Sequence, residues 1–326
     1  MNKVVSMVNG GHAHVHPRHE ITGEILLIQK DYNAQIFGMQ GVLTGFEPGH
    51  PSVPAVKGYY KFRPDLVEDM ALFWETDHGG DGMLLHGPHG CGKSSLPEQF
   101  CARLGIPYSA AEVNRDTEVQ DLICTLLPGP NGIMPVLGPL ARRFVGGGVF
   151  VADEFDRAAQ KQRIALHGIL DGHKLEVPQL GVVLDRHPKF RLLCTANSGG
   201  YGDRTGAYGD VQRMDHSTLD RMIKVEVEYM PPEDEAAILA VAYPELGSDI
   251  CDRMASFAGT IRTKYAKGEQ SVTLSTRTLH RWARWATLYR DPDESTRNED
   301  LFRRSLTRAL TAGIDPDEAK GILEAV

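Results

Sequence analysis

The stretch HGPHGCGKSS at residues 86–95 has the residue types and spacing to grip a polyphosphate. Gly87 is followed by four residues and then Gly92-Lys93-Ser94, the G-x-x-x-x-G-K-[ST] pattern of a P-loop. Glycine at 87, 90 and 92 lets backbone N–H groups converge on phosphate oxygens without a side chain in the way. Pro88, His89, Cys91 and Ser95 complete the expected nucleotide-binding run. Lys93 is expected to reach the β and γ phosphates, and the Ser94 hydroxyl to ligate Mg²⁺. The next helix would add the partial positive charge of its N-terminus. Pro97 falls in its first turn, where a missing N–H is tolerable.

Nucleotide hydrolysis needs a held metal, an oriented water and compensation of charge, with little covalent help. Val149-Phe150-Val151-Ala152 reads as a buried strand that delivers Asp153 to the metal and Glu154 to a water. The bland alternative is a pair of acids capping a helix. Asn197 ends the strand KFRLLCTAN, 44 residues after Asp153, at the end of a parallel sheet that faces the ligand. Arg221 precedes the strand IKVEVEYM and is placed for a subunit edge. Arg277 opens a helix near the C-terminus and could close over the γ-phosphate. A surface role would explain either arginine alone; their order with Lys93, Asp153, Glu154 and Asn197 points to a site.

The elements needed to position these residues can be read around them. Met83-Leu84-Leu85 ends a strand before the P-loop, and SSLPEQFCARLG is the helix after it. IPYSAAEVN, GGVFVAD, KFRLLCTAN and IKVEVEYM supply further strands, with helices in RPDLVEDMALFWETD, DTEVQDLICTLL and GPLARRFVGG. Such alternation predicts an α/β fold, a parallel sheet flanked by helices, over residues 58–230. Two hairpins interrupt it, LICTLLPGPNGIMPVL inside the second helix and HKLEVPQLGVVLDRHP before the Asn197 strand. Residues 231–326 turn helical and form a second domain. Residues 1–57 are an N-terminal extension, with short strands expected in EILLIQ and AQIFGMQGVL and a Pro/Gly linker in GFEPGHPSVP.

Composition narrows the field. The 326 residues are 41% hydrophobic and 24% charged, with no apolar run long enough for a membrane span and no secretory h-region at the start. A cytoplasmic protein is expected. The net charge of −8 argues against a generally basic nucleic-acid binder. Arg142-Arg143 and Arg303-Arg304 read as solvated helix faces rather than a track. The five cysteines contain no C-x-x-C pair, and Cys91 reads as a small filler within the loop. His12, His14, His16 and His19 have a spacing suited to metal on an extended segment, but a histidine-rich terminus explains them more simply.

The order of these motifs resembles the AAA+ ATPases, and the two hairpins resemble the inserts of their MoxR and chelatase branch. Asp153–Ala158, DEFDRA, is similar to that branch's D-E-x-[ND]-R-A segment. HPKFRLLCTANSGGYGDRTGAYGDVQRMDHSTLDR resembles the small AAA+ subunit of aerobic cobaltochelatases (CobS-like), as does STRTLHRWARW. Arg204 departs from a threonine usual there. The resemblance covers residues 60–290. It implies ATP and Mg²⁺ as cofactors, Asp153 and Ser94 on the metal, Glu154 activating water, Asn197 as sensor 1 and Arg277 as sensor 2. Arg221 becomes an arginine finger acting on the neighbouring subunit of a ring, a hexamer by resemblance, with Arg157 as a second candidate interface arginine. A partner with a von Willebrand A domain (CobT-like) is also implied.

The expected function is therefore an ATP-driven ring that remodels a partner protein or drives a chelatase-type complex. Two alternatives remain, a cobaltochelatase small subunit proper and a nucleic-acid-directed machine of restriction type. A small-molecule kinase fits least, because its substrate hydroxyl needs no water-activating Glu154.

Overall fold

The computed structural model describes residues 18–129, 132–202, 211–290 and 298–326. The histidines at 12, 14 and 16, the Pro130–Asn131 turn and Arg204 lie outside the described residues. Two compact units make up the chain. The first holds the chain up to Val56, Phe62–Gly87 and Lys93–Glu226; the second holds Lys57–Lys61, Pro88–Gly92 and Val227–Val326.

The first unit opens with an antiparallel pair, β1 (Gln29–Asn33) and β2 (Val42–Phe46). The strand begins later than the apolar run EILLIQ, and Ala34–Phe37 forms a 3-10 turn because Gly38 takes a left-handed cap conformation. This pair packs on α1 (Pro64–Glu75) and on the helix after the P-loop. Phe37 stacks on Phe100 at 5.1 Å, and the Trp74 indole N–H donates to the Thr44 carbonyl. A Cβ at Gly45 would meet the Leu104 carbonyl at 2.1 Å, so only glycine lets the strand lie this close. Residues 47–56 then run along the unit: the Ser52 carbonyl accepts from the Tyr108 N–H, and Ala55 from the Gln99 side chain.

The sheet follows: β3 (Gly82–His86), α2 (Ser95–Leu104), β4 (Tyr108–Glu112) and α3 (Val119–Ile123). Helix α3 is shorter than DTEVQDLICTLL predicts, because the chain enters a hairpin at Cys124. That hairpin is β5 (Cys124–Gly129) and β6 (Gly132–Leu137), followed by α4 (Pro139–Gly146) and β7 (Gly148–Asp153). Next come α5 (Gln160–Ala165), α6 (His167–Leu170), the hairpin β8 (Leu175–Val177) and β9 (Val182–Leu184), and β10 (Phe190–Ala196). Helix α7 (His216–Leu219) and β11 (Met222–Glu226) close the unit.

Five strands pair in parallel in the order β11-β3-β10-β7-β4. The expected α/β architecture with two hairpin inserts is borne out. The central strands are buried on both faces, as their unbroken apolar runs require. Two arginines interrupt that apolar logic. Arg191 on β10 is buried and donates to five backbone carbonyl contacts, three of them (Phe73, Trp74, Thr76) at the end of α1. A cation there satisfies carbonyls that the helix itself leaves unpaired. Arg143, expected on a solvated face, is instead buried against the Glu24 carboxylate and the Gly147 carbonyl.

The second unit is helical: α8 (Pro232–Ala242), α9 (Ser248–Ala266), α10 (Thr276–Tyr289), α11 (Asn298–Ala309) and α12 (Pro316–Glu324). Trp282, Met254, Leu279 and Leu306 are fully buried in its core. The buried pair Glu235–Arg262 anchors the start of α10 through the Thr276 hydroxyl, 2.5 Å from Glu235. No helix among the described residues is long and apolar enough to cross a membrane.

Candidate functional site

Parallel pairing puts the C-terminal ends of β3, β10 and β7 side by side, and the sequence places its chemistry there. Gly87, Gly90 and Gly92 all have positive φ (151°, 70° and 105°), so the loop folds in a way that side-chain-bearing residues resist. Lys93 is buried and its ammonium donates to the Gly87 carbonyl at 2.8 Å and to the Asn197 amide oxygen at 3.0 Å. Ser94 stands at the N-cap of α2 but makes no capping bond. Its hydroxyl donates to Asp153 Oδ1 at 2.7 Å instead. Ser95 begins α2.

Asp153 Oδ1 also accepts from the Thr195 hydroxyl at 2.8 Å, and that hydroxyl accepts the Glu154 N–H at 3.1 Å. Glu154 is the one non-glycine residue with positive φ among those described, at 57°. A glutamate in this left-handed region is strained, and such strain collects at functional sites. Its carboxylate pairs with Arg157 at 2.6 Å. Burial pushes the Glu154 carboxyl up, neighbouring Glu112 adds to this, and Arg157 opposes it.

The structure thus gathers Gly87, Lys93, Ser94, Asp153, Glu154 and Asn197 in the first unit. The loop residues Pro88, His89, Gly90, Cys91 and Gly92 belong to the second unit, where Gly90 meets the start of α10. A Cβ at Gly90 would lie 2.7 Å from Ser275 Cβ and 3.6 Å from Arg277 Cβ, so Arg277 stands beside the loop. The His89 carbonyl accepts from Tyr229, and the Cys91 thiol donates to the Val227 carbonyl at 2.9 Å.

Arg221 is not gathered with them. The Gly82 N–H donates to its carbonyl, which fixes Arg221 at the start of β3. The loop begins at the other end of that five-residue strand, roughly 15 Å away at the usual rise. The Arg221 guanidinium holds Asp171 (2.7 and 3.2 Å) and the Ser217 carbonyl. His19 uses its Nδ1 to accept the Ile21 and Thr22 N–H groups in a local turn.

Sequence reading missed Thr195 and gave Asp156, the [ND] position of the DEFDRA segment, no role of its own. A lone threonine within the buried run RLLCTA was the available signal, since a hydroxyl on a strand buried on both faces needs a purpose. Asp156 is fully buried, and its role is invisible until β7 and β10 are seen side by side.

The oxygens of Ser94 and Asp153, already together beside the loop, are the hard donors that Mg²⁺ takes alongside nucleotide phosphates. The residues fit that ion.

Residues 82–222 match the family model "AAA domain (dynein-related subfamily)". The chain is 29% identical over 274 residues to "Aerobic cobaltochelatase subunit CobS" of Sinorhizobium sp, covering 79% of this chain and 80% of that protein. Residues 82–222 are an AAA+ ATPase domain of the MoxR/CobS-like kind. Nucleotide binding and ATP hydrolysis come with this AAA+ domain. "Protein CbbQ" of Hydrogenophilus thermoluteolus is 30% identical, covering 57% of this chain and 66% of that protein. "von Willebrand factor A domain-containing protein 8" of Mus musculus is 25% identical over 65% of this chain but only 11% of that much longer protein.

Proposed function

We propose that the AAA+ domain hydrolyses ATP within a ring of identical chains and uses the turnover to remodel a partner protein. Lys93 and the loop amides would hold the phosphates, and Ser94 with Asp153 would hold Mg²⁺, which when bound would neutralise phosphate charge. Glu154 orients and deprotonates the attacking water, while Asn197 faces the γ-phosphate from the end of β10. Arg277, beside Gly90 in the second unit, keeps the sensor-2 role that the family resemblance implies. The observation that carries the ring is the place of Arg221, at the opposite end of β3 from its own P-loop. From there it can compensate charge only at a neighbour's nucleotide, a contribution worth about 10³–10⁵ in rate for GTPase fingers. The ring is read as a hexamer, and the partner as a protein with a von Willebrand A domain, consistent with a relative that carries that name.

A chelatase role is the second reading, favoured by the extent of the match to the cobaltochelatase subunit. It predicts metal insertion only when a separate macrocycle-binding subunit is supplied. The deciding experiment is the solution mass of Glu154→Gln with and without Mg-ATP. An ATP-dependent hexamer supports the shared site. A persistent monomer, together with wild-type turnover independent of protein concentration, refutes the role of Arg221 in trans.

A further inference from the structure

Asp156 lies in the short turn Phe155–Arg157 after β7, fully buried. One oxygen, Oδ2, accepts two backbone N–H groups, those of Asn197 at 2.8 Å and Ser198 at 3.2 Å. Its backbone carbonyl accepts the Gln212 N–H at 2.9 Å. The other oxygen, Oδ1, is buried without a hydrogen-bond partner. A buried carboxylate with an unsatisfied oxygen is expensive, and an uncharged side chain would serve packing better. Burial accordingly pushes the Asp156 carboxyl up, against the two N–H groups that hold it down. The expense falls where β10 leaves the sheet and delivers Asn197 to Lys93 at 3.0 Å.

We propose that Asp156 is the positioning residue for Asn197. By fixing the N–H groups of two consecutive residues, it sets the direction in which the chain leaves β10 and so aims the Asn197 amide. A second tie runs parallel to it, from the Glu154 N–H to the Thr195 hydroxyl. Together the two ties join the end of β7 to the end of β10. The acid on one and the amide on the other are thereby held as one rigid piece, with Asp156 clamping the amide side. Misaiming a group by about 1 Å can cost about 10²-fold in rate while leaving binding intact. The inference rests on the reading of Asn197 as the residue that faces the γ-phosphate.

The test compares steady-state ATP hydrolysis by Asn197→Ala, Asp156→Ala, Asp156→Asn and the double variant with both alanines. Binding of a fluorescent ATP analogue checks that each is folded. Asp156→Ala should lower kcat by about 10- to 100-fold with KM for ATP within about threefold. Asp156→Asn retains an oxygen for both N–H groups and should keep kcat within about threefold of the parent. The double variant should be no slower than Asn197→Ala alone, since the clamp has nothing left to aim. If Asp156→Ala fails to bind the analogue, Asp156→Ser, whose hydroxyl is too short to reach both N–H groups, replaces it in the cycle. Full turnover by Asn197→Ala would overturn the reading of Asn197 itself. A slow Asn197→Ala beside a fast Asp156→Ala, or effects that multiply in the double variant, would overturn the clamp alone. Loss of kcat in Asp156→Asn would do the same, because the charge and not the clamp would then matter.

Discussion

Replacing Thr195 by valine removes one oxygen from the site at nearly constant shape. The hydroxyl donates to the Asp153 carboxylate and accepts the Glu154 N–H. A hydrogen bond to a charged group contributes about 1.5–3 kcal/mol, and a buried N–H left without a partner costs about 1–3 kcal/mol. Partial relaxation and water entry reduce the sum, so a loss of about 2–4 kcal/mol is expected. With a urea m-value of about 3 kcal/mol/M, this moves the unfolding midpoint of the first unit down by roughly 1 M. Turnover should fall as well, because Glu154 is held in its strained conformation partly through this N–H. The assay pairs urea unfolding with ATP hydrolysis for Thr195→Val and Thr195→Ser. Serine restores the oxygen and should recover most of both losses. A valine variant with its midpoint within about 0.2 M of the parent and unchanged kcat would refute the claim that this hydroxyl ties the strand ends together.

Three further outcomes are expected. Lys93→Ala and Arg221→Ala should each be nearly inactive, yet a mixture in equal amounts should recover up to about a quarter of parental turnover, because a fraction of interfaces then pairs an intact loop with an intact finger; no recovery would count against sharing. Burial, with Arg143 nearby, holds the His50 imidazole down to about 4. The unfolded chain therefore binds more protons between pH 6.5 and 4, and up to about 3 kcal/mol of stability present above pH 6.5 is lost across that window; His50→Gln should flatten this part of the profile in urea unfolding. Arg191→Met should destabilise the first unit by about 3–5 kcal/mol, since it strands the carbonyls at the end of α1; thermal unfolding checks this, and a shift under about 1 kcal/mol would contradict the capping role.

The sheet was legible in the sequence because each central strand is a dense apolar run followed at once by its polar payload. The P-loop, Asp153-Glu154 and Asn197 each sit at such a boundary. Both hairpins could be read from turn residues between apolar runs. The turn at Ala34–Phe37 and the early end of α3 could not, because a left-handed glycine in one case and strand pairing in the other override local propensity. Arg143 looked solvated because nothing local announces its partner, Glu24, 119 residues earlier. Thr195 and Asp156 were hidden for the same reason: their partners are on adjacent strands, far away in the chain. The pattern distinguished what the ends of strands carry, and it was blind to what ties those ends to each other.

The stretch from β1 to Val56 also bears on how this protein behaves when it is cut. It lies over Phe100 and Trp74, and its Ser52 carbonyl takes an N–H from β4, one of the two edge strands of the sheet. Without this cover, an aromatic surface and a strand edge with unused hydrogen-bonding groups would face solvent together. That pairing of features invites edge-to-edge association between chains. A chain shortened to begin near residue 58, where the recognisable nucleotide machinery starts, should therefore be prone to aggregate even with every catalytic group intact. Light scattering of the shortened and full chains at equal concentration would reveal the difference.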